Sequence, residues 1–217
     1  MTNFIPIFPL NITVFPNERL NLHIFEPRYK QLILDCFTNK KPFGIPSVVK
    51  NTLQEFGCVV EIIEIHKTYE DGKMDIKTRG IKLFRLLELI HEIPEKLYGG
   101  AIVNYPTNIE QSNKASINKV VELTRKLHQE INVTKDFKKN DDELKSYDIA
   151  HHVGLSLEEE YEFLTLLHED QRIEYLKRHL QKMLNELDKL AQLKQKIMLN
   201  GHFKELGGFN FTNFSKQ

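Results

Sequence analysis

The hydrophobic pattern changes period once, near Pro106, and that change restricts the folds open to the chain more than any other feature. Before it, apolar residues alternate or crowd into short runs bounded by Gly, Pro and Asn, the pattern of strands. Beyond it they recur at helical spacing. A uniform bundle or an all-β sandwich is thereby excluded. The expectation is an α+β protein with a β-barrel over residues 1–106, a helical bundle ending in a long helix over 112–200, and an aromatic tail over 201–217.

Within the β half, Leu20, Leu22 and Ile24 alternate with Asn21 and His23, and the run GCVVEIIEI at 57–65 is apolar on both faces. Glu70, Asp71 and Gly72 supply hairpin-turn chemistry leading into 74–78, and Gly80 introduces a separate dense run at 81–89. Strands apolar on both faces suit a closed or strongly curled sheet, because an open antiparallel sheet keeps one face polar. One helix interrupts the strands. Pro27 follows Glu26 and suits a first helical position, since its fixed φ and missing N–H cost nothing there. Tyr29, Leu32, Ile33, Cys36 and Phe37 then form a stripe that should plug the barrel.

In the helical half, Ile117, Val120, Val121, Leu127 and Ile131 share one face, 132–140 is a charged link, and Gly154 suits a left-handed cap. Ser156 and Glu159 have capping-box spacing. From Asp170 onward, Ile173, Leu176, Leu180, Met183, Leu187, Leu190 and Ile197 keep one heptad frame, so a single long helix is expected. Two uses of that seam stand open: packing inside the chain, or a homodimer. The tail carries Phe203, Phe209, Phe211 and Phe214 around a Gly207-Gly208 hinge, too apolar to be left in water.

Thirty Lys and Arg balance thirty Asp and Glu, locally as well as globally, which argues against nucleic acid as a partner, because phosphate binding needs a lopsided basic face. Cys36 and Cys58 lie apart inside apolar runs and read as buried thiols, consistent with a cytoplasmic setting. Residues 1–15 lack a basic start and are broken by prolines, so no signal peptide is expected, and no stretch suits a membrane span. Neither phosphate-binding glycine motif is present, and none of the six serines sits in G-x-S-x-G. The nine histidines include no H-E-x-x-H pair, and the neighbours His151 and His152 diverge by about 100° on a helix. No catalytic residue, metal or cofactor is expected.

The run at 5–35, IPIFPL…VFPNERLNLHIFEPRYKQLILD, resembles the opening of the Lon N-terminal substrate-binding domain, in particular its standalone bacterial members. Its motif residues here are Pro9, His23, Phe25, Glu26, Pro27, Arg28 and Tyr29, with Gly57 and Gly80 further on. The resemblance extends over about residues 4–195 and implies a PUA-like barrel joined to a helical bundle, without the ATPase and peptidase domains of Lon proteases. It implies a binding role toward unfolded or hydrophobic protein segments, as an adaptor or regulator of proteolysis, with a full-length protease as a further partner. The alternative is a PUA-like small-ligand or RNA-binding module. Phe15, Tyr69, Phe203, Phe209 and Phe211 are the candidate peptide-binding aromatics, in a groove between barrel and bundle. For the motif residues a structural role is favoured, with Phe25 and Tyr29 filling core and Arg28 pairing with a carboxylate.

Overall fold

Six strands precede Asn104, and all helices except one follow it, in a computed structural model that describes residues 2–111 and 113–202. The strands are β1 (Thr2–Pro6), β2 (Arg19–Ile24), β3 (Phe43–Val49), β4 (Thr52–Thr68), β5 (Met74–Ile90) and β6 (Gly100–Asn104). They pair antiparallel in the order β1-β6-β5-β4-β3, with β2 against the first half of β5. The segment after β1 closes the ring. Ile7 and Leu10 bridge β3 in parallel at Gly44 and Ser47, and the amides of Phe8 and Leu10 donate to the carbonyls of Gly44 and Pro46. Pro9 sits between these two donors, where its missing N–H costs the ladder nothing.

The barrel curls because its two longest strands are bulged. Along β4 and β5 the register shifts between Val59 and Val60, Ile62 and Glu64, and Ile65 and Lys67, with a further shift between Leu86 and Glu88 opposite β6. Each extra residue moves the following side chains to the other face and bends the strand. The extra residues Ile63, Ile81 and Leu87 are accordingly exposed. The run read as apolar on both faces is so at its start, where Cys58 and Val60 are buried on one face and Val59 on the other; the extra Ile63 then returns Ile65 to the face of Cys58 and Val60. Gly80, which precedes the dense run 81–89, lies inside the 17-residue β5, so the runs on either side of it form one strand. There the chain passes the turn before β2 so closely that a Cβ would strike the Phe15 carbonyl oxygen.

Helix α1 (Pro27–Thr38) starts at Pro27 as read, with the Glu26 carbonyl accepting from the amides of Tyr29 and Lys30. Leu32, Ile33 and Cys36 are buried against Ile24, Phe43, Ile45 and Cys58, so the helix does plug the barrel. Phe37, expected on that stripe, is 44% exposed. Cys36 and Cys58 are buried and free. Burial drives both thiols up, Cys36 to about 12 and Cys58 further still.

The helical half comprises α2 (Lys114–Glu130), a 3-10 turn (Asp141–Glu143), α3 (Ser146–Ala150), α4 (Leu157–Thr165) and α5 (Glu169–His202). On α2 the buried residues include Ile117, Val120, Val121 and Leu127, whereas Ile131 lies at the cap and is exposed. Gly154 is left-handed with φ of 72°, and Ser156 and Glu159 form the capping box. On α5, Ile173, Leu176 and Leu180 are buried, Met183 and Leu187 half-buried, and Leu190 and Ile197 exposed. The first half of the seam is therefore consumed inside the chain.

Barrel and bundle share one apolar cluster. Phe15 and Leu83 of the barrel half pack with Val120, Tyr147, Phe163 and Leu176. Phe15 stacks on Tyr147 with centroids 5.3 Å apart and meets Phe163 edge-on at 5.6 Å. Below this cluster, Arg172 is fully buried. Its guanidinium binds Glu169 at 2.8 Å, Ser146 at 3.0 Å, Asn108 at 2.8 Å and the Leu166 carbonyl at 2.5 Å, beneath the Tyr147 ring at 4.3 Å. Among the described residues no helix is long and apolar enough to cross a membrane.

Candidate functional site

The sequence placed a peptide groove between barrel and bundle, with Phe15 on its wall. The structure closes that seam: Phe15 is 0% exposed, because the ring fills the shared core described above. Phe203, Phe209 and Phe211 lie outside the described residues. Tyr69 is only half-buried, at the tip of the β4–β5 hairpin, and it is not alone.

At that tip, the end of β2 and the start of α1 converge on the hairpin. The Lys30 ammonium donates to the Asp71 carbonyl at 2.8 Å, fixing the helix to the turn. His23 Nδ1 lies 2.6 Å from one Asp75 carboxylate oxygen, and the Tyr69 hydroxyl donates to the other at 2.7 Å. Both contacts favour the charged carboxylate and hold Asp75 below the usual range, the His23 contact most. The same carboxylate pushes the Tyr69 phenol up. Asp75 thus orients two rings at once. His23 stands edge-on to Tyr69 with centroids 5.9 Å apart and stacks with Phe25 at 6.2 Å, while the Lys67 ammonium covers the Tyr69 ring at 4.4 Å.

Phe25 was expected in the core and is 58% exposed. The reason is local: it follows Ile24, which points into the barrel, and precedes the helix start, so its side chain falls on the outer face. Among the other motif residues, Tyr29 stacks on Phe8 at 3.9 Å, and Arg28 Nε lies 3.4 Å from Glu26 Oε2 on the surface. Gly57, like Gly80, is a close-approach position, where a Cβ would run into the Ile45 carbonyl and the Phe84 ring. These residues shape the barrel, whereas His23, Phe25 and Tyr69 form an open aromatic rim.

Leu34 and Leu97 were missed by the sequence reading. Both are more than half exposed, and they lie near each other: the Leu97 amide donates to Gln31 at 2.7 Å, one turn before Leu34 on α1. A signal existed, since Leu34 falls off the apolar stripe of α1 and Leu97 sits in a loop among Pro and Gly. By contrast, a groove of about 690 Å3 between α4 and α5 is walled by Glu159, Glu162, Asp170 and Glu174. Leu166 and Tyr175 add apolar lining there, and Arg178 and Lys182 add opposite charge, so the groove is open and mixed in character.

The fold and the rim together define a barrel-and-bundle protein with apolar side chains open to solvent at one end of the barrel. Among the described residues no cluster of His, Cys, Asp and Glu could hold a metal ion. The family model of the ATP-dependent protease La (LON) substrate-binding domain matches residues 5–182, and the chain belongs to that family. Among solved structures, the Lon N-terminal domain protein from Xanthomonas campestris is similar, with a TM-score of 0.62 and 20% identity over 81% of this chain and 98% of that one. The N-terminal domain of the Mycobacterium avium complex Lon protease matches with a TM-score of 0.62 and 12% identity, over 82% of this chain and 98% of that one. At such identities the likeness is one of fold.

Proposed function

We propose that this chain is a non-enzymatic binding protein that holds exposed hydrophobic segments of other proteins, in the cytoplasm, as an adaptor or regulator of proteolysis. The carrying observation is that a chain of the LON substrate-binding family presents a buttressed yet open aromatic rim. Apolar area removed from water contributes about 25 cal/mol per Å2, so a shallow contact over a few aromatic and aliphatic side chains reaches roughly micromolar affinity without sequence-specific polar contacts. A full-length protease of the same family is the partner to which such an adaptor would deliver its cargo.

The test is a fluorescence titration with a reduced, carboxymethylated, permanently unfolded protein. Binding with a dissociation constant of roughly 1–100 μM is expected. Replacing Phe25 and Tyr69 together by Ala should weaken it by about tenfold, equivalent to ~1.4 kcal/mol, with the melting temperature nearly unchanged because Phe25 is exposed and Tyr69 only half-buried. No binding up to about 100 μM would remove the reading.

A further inference from the structure

One strand of the barrel has an open side. β2 pairs with β5 and with no other strand among the described residues. Just before it, the Gly80 amide donates to the Glu18 carbonyl, and the register runs Leu20 to Thr78, Leu22 to Ile76 and Ile24 to Met74. Antiparallel ladders alternate between bonded and non-bonded pairs, so the ladder to β5 is carried by Leu20, Leu22 and Ile24. The N–H and C=O groups of Arg19, Asn21 and His23 are then turned to the open side, where no other backbone group among the described residues bonds them. The side chains of these three residues are exposed as well. An exposed edge of this kind is a template for another extended chain.

We propose that this edge is the line along which the client docks: an extended segment of an unfolded protein, apolar at alternate positions, adds to β2 as a further strand. The inference rests on the protein-binding reading above and specifies how the client is held. Three observations converge on it. Backbone groups at Arg19, Asn21 and His23 supply sequence-independent hydrogen bonds, as binding many unrelated clients requires. Leu20 and Leu22 are half-buried, leaving apolar rims that alternate side chains of an added strand would cover. The aromatic rim lies at the far end of the same strand, with Phe25 directly after Ile24, so a client leaving the edge runs onto Phe25 and Tyr69.

A second copy of this chain suits the edge less well. An antiparallel pair centred on Asn21 would set the Arg19 guanidinium of each copy against His23 of the other, whose ring is already held by Asp75, so neither guanidinium gains a carboxylate. A client carrying acidic residues between its apolar ones offers Arg19 that partner.

Asn21 allows a selective test. Its N–H points to the open side, so Asn21→Pro deletes that donor and obstructs the edge while leaving the ladder to β5 in place. Asn21→Ala removes only the side chain. The probe is a fluorescein-labelled peptide of about eight residues alternating Val and Thr with one Phe, read by anisotropy beside the unfolded carboxymethylated protein. Asn21→Ala should bind within about twofold of the wild type, and Asn21→Pro should lose at least about tenfold.

Should Asn21→Pro fail to fold by circular dichroism, N-methylated peptides on the wild type decide instead. Methylating one alternate set of peptide amides should cost about tenfold, and methylating the other set little. Equal binding by Asn21→Pro, or equal effects of the two methylation sets, would overturn strand addition and leave protein binding by the rim standing. Failure of the wild type to bind either probe would overturn both. A free chain that scatters as a dimer and is split by Asn21→Pro would place a second copy on the edge and overturn the client assignment.

Discussion

Single residues set the tolerances of this fold, and Arg172 sets the tightest. Its five N–H groups tie the first residue of α3, the start of α5 and the link at Asn108 and Ile109 together, with no solvent at the guanidinium. Arg172→Met would leave the Glu169 carboxylate buried without its cation, and a loss of about 3–5 kcal/mol is expected from urea unfolding, with Glu169→Gln in the same chain recovering part of it. Gly80→Ala should cost about 1–3 kcal/mol or more, because the atom it would strike is backbone and cannot swing aside. The residue scale is also where the sequence was least legible. Phe15 and Phe25 both follow short apolar stretches near a proline, yet one is sealed and the other is open. Burial of a turn residue depends on what folds over it from about 130 positions away, and no local period encodes that. The Arg172 hub left only an E-x-x-R spacing at a helix start, which is common on solvated helices.

Whole elements were far more legible, since period and punctuation belong to contiguous sequence. Pro27, the Asp71-Gly72 turn, the Ser156 capping box and the α5 heptads each fall where they were read. What escaped was the bulge, because one inserted residue leaves the composition of a run unchanged while reversing its faces. The candidate surface was half legible for the same reason: Tyr69 and His23 were singled out, but their meeting depends on the β2–β5 register.

Elements are also clasped by His151, in the turn after α3. Its Nδ1 lies 2.7 Å from Glu160 on α4 and its Nε2 3.2 Å from Glu18, ahead of β2, with Phe15 at 4.7 Å. Burial opposes its charge, but the hydrogen bonds to Glu160 and Glu18 outweigh burial and raise it to about 9. Between about pH 6.5 and 9 the folded chain therefore keeps a proton that the unfolded chain gives up, so this contribution is full below that window and lost as pH rises through it. Urea midpoints should fall from about pH 7 to about pH 9.5 in the wild type and change less in His151→Gln.

At the scale of the molecule, the long helix bears on the state of assembly. Among the described residues its last turns expose Leu190, Leu193 and Ile197 by about half or more, whereas Ile173, Leu176 and Leu180 are spent on the bundle. A two-stranded seam usually needs three or four heptads, so α5 alone should not hold a dimer, and light scattering at micromolar concentration should report 25.5 kDa.

The aromatic packing of Phe15 on Tyr147 and Phe163 carries a practical lesson for anyone who would recombine this protein. Severing the gene near codon 106 would expose a raw hydrophobic scar on each product, and both fragments should precipitate. Fused to a foreign motor as an intact cassette, the same stretch would travel with its two halves already welded.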